Sequence, residues 1–143
     1  MKNRRLFSCI VLLILSVFSC EKRICGCVFP TSPLAGDWTL NSITYPMTQK
    51  TVPASEAGYS ETLTFDGLVS NGSYRQVRNG LPIQNSPYTL SFPKGGSTEG
   101  IIYFSKDSTE QSFQLAGMKL YLSERVPRGA VLADGAIYEY KQQ

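Results

Sequence analysis

Gln111-Ser-Phe-Gln-Leu115 and Met118-Lys-Leu-Tyr-Leu122, separated by Ala116-Gly117, decide the fold. Apolar and polar side chains alternate on both sides of a short, small-residue turn, so Phe113, Leu115, Leu120 and Leu122 fall on one face of a hairpin. The same period continues outward in both directions. Downstream, a connection over residues 124–135 containing Pro127 and Gly129 leads to Ala136-Ile-Tyr-Glu-Tyr-Lys141, which sets Tyr138 and Tyr140 on one face and Glu139 and Lys141 on the other. Upstream, Ile101-Ile-Tyr-Phe104 is a strand apolar on both faces, preceded by the loop Lys94-Gly-Gly-Ser97.

Further upstream, Leu81 to Ile83 leads toward Tyr88-Thr-Leu-Ser-Phe92. Pro82 and Pro87 cannot donate to a ladder, so this segment is expected to be interrupted or to lie beside a bulge. Asn79-Gly80 is a strong hairpin signal joining it to Tyr74-Arg-Gln-Val-Arg78. Asp66-Gly67 reads as the turn between that strand and Tyr59-Ser-Glu-Thr-Leu-Thr-Phe65. A Pro-containing loop through Pro46 and Pro53 separates it from Leu34-Ala-Gly-Asp-Trp-Thr-Leu40, the first strand. No long window keeps a 3.6-residue period. The expectation is an all-β, antiparallel up-and-down meander of eight strands, able to close on itself and so remove its exposed edges. Tyr59, Phe65, Phe113, Tyr138 and Tyr140 share inward parity with Leu63, Leu115 and Leu120. They are either the lining of a ligand site or the core of a small barrel.

Before this domain stands a different kind of sequence. Lys2, Arg4 and Arg5 precede an apolar run over residues 6–17 and then Val17-Phe-Ser-Cys20, after which Glu21, Lys22 and Arg23 turn the chain polar. A basic start and an apolar run of about a dozen residues have the build of a secretory signal and fall short of the roughly 20 residues a spanning helix needs. The four-residue site resembles the lipobox of bacterial lipoproteins. That resemblance implies cleavage before Cys20, a thioether-linked diacylglycerol on Cys20 and acylation of its new amino group. Two or more acyl chains, each buried methylene contributing about 0.8 kcal/mol, anchor a protein stably. The expected organisation is a signal peptide over residues 1–19, a lipidated tether over residues 20–33 with Pro30 and Pro33 at its end, and a barrel domain over residues 34–143. The expected location is the bacterial cell envelope, tethered to the outer membrane, with the domain in the periplasm or at the cell surface.

The remaining resemblance covers nearly the whole mature domain. Gly36-Asp37-Trp38 at the opening, with the chain's single tryptophan, and Asp134-Gly135-Ala-Ile-Tyr138-Glu-Tyr140 at the close resemble the small lipocalin-like domains of bacterial lipoproteins. The resemblance implies that Trp38 plugs one end of a barrel. It departs from the pattern in lacking the arginine that stacks on that tryptophan, for which Lys141 is the nearest candidate, and in its short length. Eight short strands enclose space little wider than their own side chains.

Composition narrows the function. Losing Lys2, Arg4 and Arg5 with the signal takes the 14 basic residues to 11, matching the 11 acidic ones. A neutral chain lacks the basic stripe that phosphate neutralisation needs, so nucleic acid is not an expected partner. The chain has no histidine, so histidine-dependent triads and common zinc sites lose a member. Cys25-Gly-Cys27 could chelate a soft metal, form a strained disulfide, pair between molecules, or remain tether thiols. No catalytic residue, metal or cofactor is expected, and the protein is read as a monomer. Asn71-Gly-Ser73 matches a glycosylation acceptor, and Asp107-Ser-Thr109 resembles an O-glycan acceptor of exported bacterial proteins. The lipocalin resemblance implies non-catalytic binding of a small apolar ligand or envelope component. The alternative is a protein-interaction or inhibitor module using the loops at residues 48–58 or 124–135, with Arg125 and Arg128 as contacts.

Overall fold

The computed structural model describes residues 30–93 and 95–143. The expected signal segment, Cys20, Cys25, Cys27 and most of the expected tether lie outside the described residues. The described residues fold into ten strands: β1 (Gly36–Tyr45), β2 (Lys50–Pro53), β3 (Glu61–Leu68), β4 (Asn71–Arg78), β5 (Leu81–Ser91), β6 (Glu99–Phe104), β7 (Thr109–Ala116), β8 (Lys119–Ser123), β9 (Val126–Pro127) and β10 (Ile137–Gln142). Every pairing is antiparallel, and the order β10-β8-β7-β6-β5-β4-β3-β1 is closed by β10 against β1, from Trp38 opposite Gln142 to Thr44 opposite Ile137. The expected eight-strand meander barrel is present.

The two additional strands lie in segments expected to be loops. β1 runs beyond its contact with β3, which ends at Thr39 opposite Thr62, and β2 pairs with the surplus from Ser42 opposite Pro53 to Tyr45 opposite Lys50. Pro53 is tolerated because it ends the added strand. β9 is a two-residue strand against Thr109 and Glu110 of β7.

Two turns fall elsewhere than expected. β3 continues through Asp66-Gly67 to Leu68, and the turn is Val69-Ser70. Gly67 has φ 92° and faces Gly72 across the ladder; a Cβ there would lie 2.9 Å from the Asn71 carbonyl oxygen, so this glycine serves close approach of strands rather than reversal. Likewise Ala116 ends β7 and the turn is Gly117-Met118, with Gly117 at φ 61°. Asn79-Gly80 turns as expected, both residues having positive φ, 51° and 77°.

The interior is filled by side chains. Trp38, Leu63, Phe65, Tyr88, Ile102, Phe104, Leu120 and Leu122 are all within 2 % of complete burial. The Trp38 indole N–H donates to the Leu34 carbonyl at 2.8 Å, closing one end of the barrel and satisfying the ring's polar atom. Lys141, the candidate to stack on it, is exposed and sits opposite Thr39 on the outer face. Residues 30–32 are tied to the same end: Val69 N–H donates to the Pro30 carbonyl, Ser32 N–H to the Gly67 carbonyl, and Thr31 bridges Leu68. The chain therefore enters the barrel at the Trp38 end. The Asn79-Gly80 hairpin, the β6–β7 turn and the long β8–β10 connection all lie at the other.

Candidate functional site

The opposite end is a polar mouth, and local irregularities of the strands build it. Along β5 the register with β4 shifts between Gln76–Gln84 and Val77–Pro82, leaving Ile83 as the extra residue. This is the bulge anticipated beside Pro82; β5 is otherwise continuous. β1 carries Asn41 as an extra residue between Leu40 and Ser42. In the third case Leu122 faces Phe113 whereas Val126 faces Glu110, so the chain holds one residue too many between β8 and β9. Bulges at barrel rims re-aim side chains, and this one sends Arg125 across the mouth.

Arg125 is the strap of that end. Its Nη2 reaches both carboxylate oxygens of Asp107 at 2.9 Å, its Nη1 donates to Gln84 Oε1 at 2.5 Å, and its Nε donates to the Thr109 hydroxyl. The guanidinium lies 3.5 Å from the Phe104 ring centroid and thus joins β5, β7 and the β6–β7 turn over an aromatic floor. Although burial opposes it, Asp107 is held below the usual carboxylate range by Thr109 and Arg125. Thr109, the acceptor of the O-glycan resemblance, spends its hydroxyl on Asp107 and Arg125.

Beneath this strap lies a buried acid. Glu61 is 2 % exposed; its Oε2 accepts from Arg78 Nε at 2.8 Å and Nη2 at 2.7 Å, and its Oε1 accepts from the Tyr140 hydroxyl at 2.6 Å. A buried carboxylate is tolerated only when paired and hydrogen-bonded in this manner. Arg78 in turn lies 4.2 Å over the Tyr59 ring. Burial first, then the adjacent Glu61 charge, hold the Tyr74 and Tyr140 hydroxyls well above the ordinary tyrosine value. Glu61, Tyr74, Arg78, Glu124, Tyr138 and Tyr140 line a solvent-connected hollow of about 170 Å³.

The residues read from the sequence as a possible ligand site divide. Phe65 and Phe113 are buried, Phe65 packing on Tyr74 at 5.0 Å and Tyr88 at 5.3 Å, and Phe113 on Phe92 at 5.9 Å. Tyr140 is buried on Glu61, while Tyr59 and Tyr138 are half-buried around the mouth. Glu61, Tyr74, Arg78 and Glu124 carry no functional signal in the sequence, where Glu61 and Arg78 read as ordinary charges on alternating strands. Only their shared register, Glu61 opposite Arg78, could have flagged them.

Outside the barrel wall, the β8–β10 connection covers β6–β8 and leaves a cleft of about 350 Å³ whose rim includes Pro46, Val131, Leu132 and Ile137. Among the described residues the exposed large hydrophobics are Tyr45, Met47, Leu81, Ile83, Met118, Val131, Leu132 and Ile137. All but Met118 lie at the mouth end. Arg128, named with Arg125 as a contact, lies 4.6 Å over the Tyr103 ring. Among the described residues no helix is long and apolar enough to cross a membrane.

No known protein family matches the chain, and no curated protein matches it.

Proposed function

We propose that the chain is a lipid-anchored, non-catalytic lipoprotein of the bacterial cell envelope, lipocalin-like in kind, whose barrel is a protein-interaction module working through its mouth end. The observation that carries this reading is the distribution of exposed apolar side chains, with Met47, Leu81, Ile83, Val131 and Leu132 all on loops or strand ends around the mouth. Solvated apolar groups concentrated on one end mark an interaction surface. The geometry of attachment agrees. The chain enters the barrel at the Trp38 end, so a lipid on Cys20 holds that end toward the membrane and presents the mouth away from it. Ten residues of tether reach at most about 35 Å.

An apolar ligand carried inside is supported less well, because Phe65, Phe113 and Tyr140 spend their surfaces on one another's neighbours. The test is photo-cross-linking in the producing cells, with a cross-linking side chain at Val131 or Met47 and, as the control, at Met118. Discrete adducts from the first two and none from Met118 are expected. Adducts from Met118 alone, or from no position, would contradict the reading.

A further inference from the structure

The cleft outside the barrel wall has a floor built from one row of side chains carried by neighbouring strands. Ile101 of β6 stands opposite Ser112 of β7, and Ser123 of β8 stands opposite Ile137 of β10. Ser112 and Ser123 join the two halves, with their hydroxyls 3.1 Å apart and the Ser112 N–H donating to Ser123 Oγ at 3.0 Å. The floor is therefore apolar at both ends, and its central hydroxyls bond to each other. Above it the β8–β10 connection forms a roof with its own supports: the β7–β9 pairing, the Arg128 N–H on the Ser108 carbonyl at 3.0 Å, and the Ala136 N–H on Glu124 Oε2 at 3.2 Å. A Cβ at Gly135 would lie 2.7 Å from Leu132 Cδ2, so the bare backbone there lets Leu132 fold back against the base of the roof. The charged residues lining the cleft are Glu110 and Glu124, two carboxylates with no lysine or arginine beside them in the lining. Neither makes an ion pair among the described residues. The arginines of the roof are engaged elsewhere, Arg125 on Asp107 and Arg128 over the Tyr103 ring. At the opening Val131 is 94 % exposed, and Met47, next in sequence to the lining residue Pro46, is 73 % exposed.

We infer that this cleft docks a segment of a protein partner that presents one large apolar side chain beside a lysine or arginine. The inference rests on the mouth-end reading above and names what that surface recognises. The apolar side chain lies on the floor between Ile101 and Ile137, and the basic group meets Glu110 or Glu124 at the edge, a buried anchor with a charged rim. The volume of about 350 Å³, about a dozen waters, admits a leucine or phenylalanine side chain with the backbone that carries it. A free small molecule would leave Met47 and Val131 in water, and an anionic lipid headgroup would meet two carboxylates.

The full chain, immobilised in detergent, is panned with phage-displayed random dodecapeptides after depletion on Ser112→Trp, whose indole covers the floor. Enriched peptides are expected to share a leucine, isoleucine, phenylalanine or methionine beside a lysine or arginine. Synthetic copies should bind the chain saturably and weaken about tenfold or more when the apolar residue is replaced by alanine. The double variant Glu110→Gln/Glu124→Gln, which keeps an acceptor for Ala136, should weaken them about three- to thirtyfold at low salt. Val131→Lys, at a position too exposed for folding to depend on it, should weaken them through like charge; melts followed by circular dichroism confirm that the variants are folded. Failure to enrich any sequence, enrichment without basic residues, or unchanged binding in the folded double variant or in Val131→Lys overturns the inference. Sedimentation of the full chain tests the other occupant: a dimer dispersed by Ser112→Trp would give the cleft to a second copy and overturn it as well. Cross-linking reads whether the mouth end meets a protein and panning reads what the cleft recognises, so panning can fail while the mouth-end reading stands.

Discussion

Replacing Arg78 by methionine isolates the buried acid beneath the mouth. The substitution keeps the length of the stem but removes both donors to Glu61 Oε2, leaving a carboxylate 2 % exposed with the Tyr140 hydroxyl as its remaining donor. Breaking a fully buried pair costs about 3–5 kcal/mol. The Arg78 side chain is 42 % exposed, so water enters part of the vacated space, and screening lowers the expected loss to about 2–4 kcal/mol. For a domain of this size that lowers Tm by roughly 8–16 °C. Adding Glu61→Gln removes the stranded charge while its amide oxygen still accepts from Tyr140, so the double variant should regain about 1 kcal/mol or more over Arg78→Met alone. Urea unfolding followed by tryptophan fluorescence, with Trp38 as reporter, measures all three proteins. A loss below about 0.5 kcal/mol, as for an exposed pair, or no recovery in the double variant, would refute the account of Glu61 as a desolvated, arginine-dependent charge.

Trp38→Ala should cost about 3–5 kcal/mol in urea unfolding followed by far-ultraviolet circular dichroism, because the ring plugs the barrel and its N–H is bonded to Leu34; a cost near zero would remove the plug. Tyr74 and Tyr140 are held above the ordinary tyrosine value, chiefly by burial, so their contribution to stability is intact below about pH 10 and is lost as pH rises through their folded values. Absorbance titration should therefore show part of the tyrosine ionising only with alkaline unfolding, and a single unperturbed transition of all tyrosines near pH 10 would contradict this. Cys20→Ala should leave an unlipidated precursor; intact mass of the membrane fraction decides it, and a mature form without added acyl mass would defeat the lipid anchor.

Much of the barrel was legible because its strands alternate cleanly and Asn79-Gly80 permits only a tight reversal. Trp38, Leu63, Phe65, Phe113 and Leu120 all face inward where the period of two put them. What escaped was decided by pairing between distant segments. β2 forms because β1 outruns β3, and no local feature of Lys50–Pro53 announces a strand. In sequence Gly67 reads as a turn residue, because a glycine needed for close strand approach looks the same as one needed for reversal. The mouth was least legible. Arg125 reaches Gln84 and Asp107 because one extra residue shifts the β7 register, and charged residues on alternating strands give no sign of which will turn inward.

The claim that the mouth end, distal to the Trp38 end where the chain enters, is the working surface is tested most directly by hydrogen–deuterium exchange of the chain in membranes of the producing cells against the purified chain. The account predicts added protection at residues 44–50, 79–84 and 126–137, with the Trp38-end turns at residues 92–98 and 117–118 unchanged. Protection confined to those latter turns, or identical exchange in both preparations, would contradict it.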